Sequence, residues 1–87
     1  MTDNGKQKLS VTIRNKTKVL FEKECASISM TNEIGPFDIL PEHANFVAII
    51  KGEILAREMS GEVTKLNCVR GVTRVSTDVV DVVFLEE

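Results

Sequence analysis

The side chains able to carry out chemistry are few and widely spaced. The only histidine, His43, lies in the segment Pro-Glu-His-Ala-Asn, and a base there could in principle be oriented by Glu42 or Asp38. The same three residues lack a further recognisable ligand for a metal ion. The five glycines are far apart, which excludes a phosphate-binding loop. We therefore predict a non-enzymatic protein without metal or cofactor, in which His43 hydrogen-bonds the loop backbone or touches a partner.

The two cysteines, Cys25 and Cys68, have no second cysteine or histidine at metal-ligand spacing. Cys68 alternates in phase with Leu66, as on one face of a strand. We interpret both cysteines as small buried hydrophobic residues.

Length and charge limit the class of protein. The 87 residues make one small domain, which we predict to consist of a polar leader at residues 1–8 and a folded part at 9–87. The 11 basic and 13 acidic residues give a net charge of −2 with the signs interspersed, which argues against a nucleic-acid partner. No apolar stretch approaches the roughly 18 to 20 residues needed to cross a bilayer, so no direct membrane insertion is expected. The polar amino terminus lacks a signal-peptide core and predicts a cytoplasmic protein.

The residue usage favours β-structure. Valine and isoleucine together number 18, against 10 for alanine and leucine. Alternating runs such as Leu9, Val11, Ile13 predict half-buried strands, with turns at residues 51–53, 60–61 and 77–78, a break in the strand pattern at 70–71 and a β-bulge near Ala26. The last strand is apolar on both faces. Seven or more short strands without an amphipathic helix predict an all-β antiparallel sandwich or flattened barrel.

The segment from residue 32 to 44 is the predicted irregular centre of the molecule and the place where function is expected. It contains the only two prolines, Pro36 and Pro41, which bracket four residues that include apolar Phe37, Ile39 and Leu40. Because proline restricts φ, this loop would form a rigid contact surface or would cover the edge of a sheet. Core burial and partner contact both remain open for its apolar residues.

Residues 35–46 resemble the G-x-x-G-I-L-P-x-H-A-P-L signature of the ε subunit of bacterial F-type ATP synthases, called δ in mitochondria. Residues 18–21 are similar to that family's K-V-V-F segment. Residues 69–72 resemble its S-G-G-F turn, and Val80 and Val82 its final V-T-V strand. The resemblance covers roughly residues 9–85.

This resemblance implies a β-sandwich of about ten short strands at the foot of the central stalk of a rotary ATP synthase. Such a subunit is non-catalytic and couples ion-driven rotation to ATP synthesis through the γ subunit and the rotor ring. It needs no cofactor or small-molecule substrate and lies peripherally on the membrane, in bacteria on its cytoplasmic face. The subunit-contact residues that the resemblance implies are Gly35, Phe37, Ile39, Leu40, Pro41, His43 and Ala44.

The sequence departs from the signature at three positions. Asp38 stands in place of the second glycine, Asn45 in place of the proline after His-Ala, and Arg70 in place of the first glycine of S-G-G. Aspartate and asparagine tolerate left-handed φ angles better than most residues. The sequence given ends at Glu87, so we expect the sandwich without the family's C-terminal helical hairpin. The alternative is a free-standing β-sandwich adaptor that serves another complex.

Overall fold

The computed structural model describes residues 7–87, which form six strands and contain no helix. The predicted leader falls mostly outside these residues. The strands are β1 (Leu9–Arg14), β2 (Val19–Thr31), β3 (Pro36–Ile39), β4 (Phe46–Glu58), β5 (Val63–Ser76) and β6 (Val79–Glu86). No helix long and apolar enough to cross a membrane occurs in this part of the chain. The predicted all-β fold class is confirmed.

The sheet closes on itself through β1. Its strand order is β1-β6-β5-β4-β2-β3, and an additional pairing of β1 with β2 completes the ring. β2 is long enough to serve three neighbours: its first half pairs with β1, and its second half pairs with β4 and β3. One pair, β1 with β6, is parallel, so the predicted antiparallel arrangement holds for every pair except this one. The result is a flattened, elongated barrel of 43 × 24 × 18 Å.

The core lies inside this ring and follows the period-two pattern of the strands. Leu9, Val11 and Ile13 of β1 are all buried, as their alternation predicts. In β6 the residues Val80 and Val82 point inward with Phe84. The rest of the core is contributed mainly by β2, β4 and β5, with Phe21, Cys25, Ile28, Met30, Ile39, Ile50, Ile54, Ala56, Cys68 and Val75.

Six strands replace the roughly ten short ones expected. The reason is that β4 and β5 each continue through an irregularity at a glycine instead of ending there. The pairing register shifts between Ile50 and Gly52, and Gly52 has a φ of 80°. A second shift lies between Arg70 and Gly71. The predicted turn at residues 51–53 and the predicted strand break at 70–71 were therefore wrong: at each place an added residue is absorbed as a β-bulge that bends the strand. The predicted irregularity near Ala26 is confirmed by a register shift between Cys25 and Ser27.

Two tight turns match the sequence prediction. The β4–β5 turn contains Gly61 with a φ of 98°, a conformation that glycine adopts without strain because it has no Cβ atom. In the β5–β6 turn both central residues, Thr77 and Asp78, have positive φ angles of 47° and 63°. Positive φ at both central residues matches the twist of a two-residue hairpin.

Both cysteines are free and buried, as interpreted from their spacing. Burial, and next the negative charge of Glu58, raise the pKa of the Cys25 thiol to about 11, while Lys23 opposes this shift. Burial also raises the pKa of Cys68. Because the thiolate is the reactive form, raised pKa values keep both side chains unreactive near neutral pH.

Among the glycines of residues 7–87, Gly71 is the one with the least space for a side chain. A Cβ atom there would lie 2.8 Å from the carbonyl oxygen of Val83 on the neighbouring strand. We predict that Gly71→Ala lowers the free energy of unfolding by about 1 to 3 kcal/mol, the range for overpacked sites. Urea denaturation followed by circular dichroism measures it. Asn67→Ala, at an exposed position of the same strand, is the control, and an equal effect of both would contradict the steric account.

Thr73 is fully buried and its hydroxyl oxygen has no hydrogen-bond partner in the described part of the chain. An unsatisfied buried hydroxyl is costly. We predict that Thr73→Val raises the free energy of unfolding by about 1 kcal/mol. In the matched control Thr64→Val, the lost hydroxyl donates to Glu58 at 3.4 Å, so no gain is expected. A loss of stability in Thr73→Val would indicate that a bound water satisfies the hydroxyl.

Candidate functional site

The loop between β3 and β4, residues 40–45, carries His43, whose ring is held by a hydrogen bond to the loop backbone. Nδ1 of His43 lies 2.8 Å from the carbonyl oxygen of Ala44, a geometry in which the ring nitrogen donates. The ring centroid is 5.0 Å from that of Phe46. The carboxylate of Glu42 does not orient the ring, since it accepts a hydrogen bond from Gln7 at 2.8 Å. Within residues 7–87 no three histidine, cysteine or acidic side chains form a candidate metal site.

The start of the predicted irregular segment is a compact turn. The side chain of Asn32 accepts hydrogen bonds from the backbone N–H groups of Ile34 and Gly35, at 2.9 and 3.2 Å. This turn leaves Ile34 96% exposed at its tip. The chain then enters β3, a short strand that the sequence did not predict, because Pro36 there argued against regular structure. Proline is accepted at the first residue of an edge strand.

The seven predicted contact residues are divided between core and surface. Ile39 is completely buried, so its side chain supports the loop from inside. Phe37 is half-buried and meets Phe46 edge-on, with ring centroids 6.0 Å apart. Of the remaining five, Leu40 is 57% exposed and His43 and Ala44 are also exposed, whereas Gly35 and Pro41 are half-buried.

The loop is tied to the β5–β6 turn by side-chain hydrogen bonds. Oδ1 of Asp78 accepts from the backbone N–H of Glu42 at 2.6 Å, and Oδ1 of Asn45 accepts from that of Thr77 at 2.9 Å. Glu42, with a φ of 69°, takes the left-handed conformation. Asp38 and Asn45, for which the sequence raised this possibility, do not.

A larger surface lies on the outside of the barrel across β4, β5 and β6. Pairing places Ile49 opposite Val72 and Val72 opposite Val83, so three apolar side chains form a row across three strands. On each strand, outward positions also carry apolar residues. We call this surface the outer apolar face; its members are Val47, Ile49, Val69, Val72, Val79, Val83 and Leu85.

Charged residues lie beside this face and also cross it, between Val79 and its other members. In the strand register, Arg74 on β5 lies opposite Val47 on β4 and opposite Asp81 on β6. Arg70 lies near Glu86, with a nitrogen-to-oxygen distance of 3.8 Å. Next to the face, a shallow groove separates β4 from the turn that carries Ile34; its lining is Asn32, Glu33, Ile34, Ala48 and Ile49. An apolar centre with a charged rim is the anatomy of a protein–protein contact.

The sequence predicted only part of this surface. The two-sided apolar character of the last strand pointed to an exposed apolar face, and β6 supplies Val79, Val83 and Leu85 to it. The contribution of β4 was missed, although Val47 is 66% and Ile49 55% exposed. The available signal was the unbroken apolar run of residues 46–50, which fills both faces of one strand.

Comparison with known proteins adds a family and a fold. Residues 8–86 match the family described as ATP synthase, Delta/Epsilon chain, beta-sandwich domain. No curated protein sequence matches the chain significantly.

Two solved structures share the fold at low sequence identity. A chain of the Euglena gracilis mitochondrial ATP synthase structure, described as OSCP/F1/c-ring, is 20% identical with a TM-score of 0.86. The match covers 97% of this chain and 54% of that one, so the chain spans about half the length of the Euglena subunit. A chain of the Tetrahymena thermophila mitochondrial ATP synthase central stalk and c-ring is 15% identical, with a TM-score of 0.74 and coverages of 95% and 67%.

The family match extends over the six strands and over the loop that carries the signature residues. It agrees with the resemblance seen in residues 35–46 and with the closed all-β fold. The chain therefore belongs to the family of ATP synthase delta/epsilon chains, of which it forms the β-sandwich domain.

Proposed function

We propose that this protein is a non-catalytic subunit of the central stalk of a rotary F-type ATP synthase. It transmits ion-driven rotation of the rotor ring to the sites of ATP synthesis through contacts with the γ subunit and the ring. The observation that carries this proposal is the outer apolar face, found on a domain of this family. The two structural neighbours come from stalk and c-ring assemblies, which supports the same placement.

The outer apolar face is the proposed contact with γ. Val47, Ile49 and Val69 are each more than half exposed, although the barrel already has a separate, complete core. Contiguous apolar surface on a small soluble domain marks an interaction site. A transmission element needs a contact that holds under load, and apolar burial is the main favourable term in stable association.

The loop of residues 35–44 is the proposed second contact. Gly35, Phe37, Ile39, Pro41 and Ala44 shape it, and Leu40 and His43 present exposed side chains to a partner. The neighbouring turn projects Ile34 into solvent. We assign this side of the molecule to contacts with γ or the rotor ring.

The proposal of a non-catalytic role has support from the bonding of the reactive side chains. His43 donates to a backbone oxygen, Glu42 accepts from Gln7, and raised pKa values keep both cysteines protonated. The proposed location is peripheral to the membrane, on its cytoplasmic face in a bacterium. The structural neighbours belong to mitochondrial enzymes, so the bacterial setting stays a prediction.

We predict that the wild-type chain co-purifies with the γ subunit encoded in the same genome. Ile49→Asp should weaken this complex at least roughly tenfold, because an unpaired charge buried in an interface is strongly unfavourable. Leu40→Asp tests the loop in the same way. Binding is measured by calorimetry or by affinity capture of tagged γ.

Val63→Asp is the matched control, since Val63 is 44% exposed but lies at the far end of β5, opposite Arg57. Circular dichroism must show the sheet intact in every variant. If the folded wild-type chain did not bind folded γ, the adaptor alternative would replace this proposal. If Ile49→Asp and Val63→Asp weakened binding to γ equally, the outer apolar face would be excluded as the contact.

A further inference from the structure

We infer that Asn45 and Asp78 are positioning residues, which hold the loop between β3 and β4 in the shape that the proposed second contact uses, and that the partner in this second contact is γ. The inference rests on the proposed function, because it concerns the geometry of that same contact. Neither residue belongs to the predicted contact set.

Asp78 joins three parts of the chain. Its side chain accepts from the N–H of Glu42 at 2.6 Å, across 36 positions of sequence. Its carbonyl oxygen accepts from the N–H of Ser10 at 2.9 Å. Asp78 therefore connects the loop, the β5–β6 turn and the first strand of the barrel.

Asn45 makes the reciprocal bond. Its side chain accepts a hydrogen bond from the N–H of Thr77 at 2.9 Å. Each of the two segments, the loop and the turn, therefore binds a backbone N–H of the other through a side chain. We call these two bonds, Asp78 to Glu42 and Asn45 to Thr77, the Asn45–Asp78 clamp. The bond to Asp78 involves a carboxylate and is therefore of the stronger, charge-assisted kind.

The clamp acts on the strained part of the loop. Glu42 has a φ of 69°, a conformation that costs free energy in a residue with a side chain and persists only when the surroundings fix it. The N–H that Asp78 binds belongs to this residue. Leu40 and His43 lie on either side of it and share a backbone hydrogen bond of 3.2 Å. Fixing Glu42 thus fixes the directions of both exposed side chains.

Asn45 also stands where the family signature has proline. Proline restricts the backbone through its ring, whereas here the restriction comes from a side-chain hydrogen bond to a neighbouring turn. A loop ordered before binding loses less conformational freedom in the complex, and this raises affinity.

The test compares variants that differ in one hydrogen-bond acceptor. Asp78→Gly removes the carboxylate but keeps a residue that adopts positive φ, and Asp78→Asn keeps both the oxygen and the conformation. Asn45→Ala removes the second acceptor, and Asn45→Asp retains it. We expect Asp78→Gly and Asn45→Ala to bind γ about three- to tenfold more weakly, and Asp78→Asn and Asn45→Asp to bind within about twofold of wild type.

Amide hydrogen exchange of the chain alone is the second measurement. Exchange at Glu42 should accelerate in Asp78→Gly, and exchange at Thr77 in Asn45→Ala, while the core strands keep their protection. Unchanged γ affinity and unchanged exchange in both variants would overturn the inference and leave the proposed function standing. If wild type itself failed to bind γ, the proposed function and the affinity claim would fall, and exchange would still decide whether the clamp holds the loop.

Discussion

Strand β1 closes the sheet into a ring, and this closure determines which side chains enter the core and which stay outside. This short strand pairs with β2 on one side and β6 on the other, the latter in parallel. Leu9, Val11 and Ile13 are thereby buried inside the ring. Once the ring is closed, every outward side chain on β4, β5 and β6 lies outside the core, including the apolar ones. The outer apolar face is thus surface left over after the core is complete.

Closure also determines where the loops meet. β1 starts beside the β5–β6 turn, with Ser10 bonded to Asp78. The loop that precedes β4 reaches the same turn through Asn45 and Glu42. The structure thus offers a candidate partner two distinct surfaces, an apolar one on rigid strands and a smaller one on a loop held by hydrogen bonds. Sites on rigid elements keep their geometry under load better than free loops do.

Local patterning predicted the class of fold well because alternation and turn residues act over a few positions. The buried sides of β1 and β6, the turns at residues 60–61 and 77–78, and the bulge near Ala26 all follow from it. Glycine at 52 and 71 misled the prediction, since the same residue permits a turn or a bulge and only cross-strand pairing decides between them. At Gly71 the deciding partner is Phe84 on β6, next to the register shift between Arg70 and Gly71.

The candidate site was predictable only where its signal was local. The loop of residues 35–44 was recognised from its prolines and its resemblance to a signature, but the burial of Ile39 depends on its pairing with Ile28 on β2. The hydrogen bond between Asp78 and Glu42 spans 36 positions and leaves no trace in local sequence. The row formed by Ile49, Val72 and Val83 likewise requires the register of three strands.

The proposed contact between the outer apolar face and γ can be tested directly. Hydroxyl-radical footprinting, read by mass spectrometry, reports the solvent exposure of individual side chains in the free chain and in its complex with γ. If the outer apolar face contacts γ, Ile49 and Val69 lose labelling in the complex, while Val63, at the far end of the β4–β5 hairpin, keeps it. Unchanged labelling of Ile49 and Val69 in an intact complex would show that γ does not bind the outer apolar face.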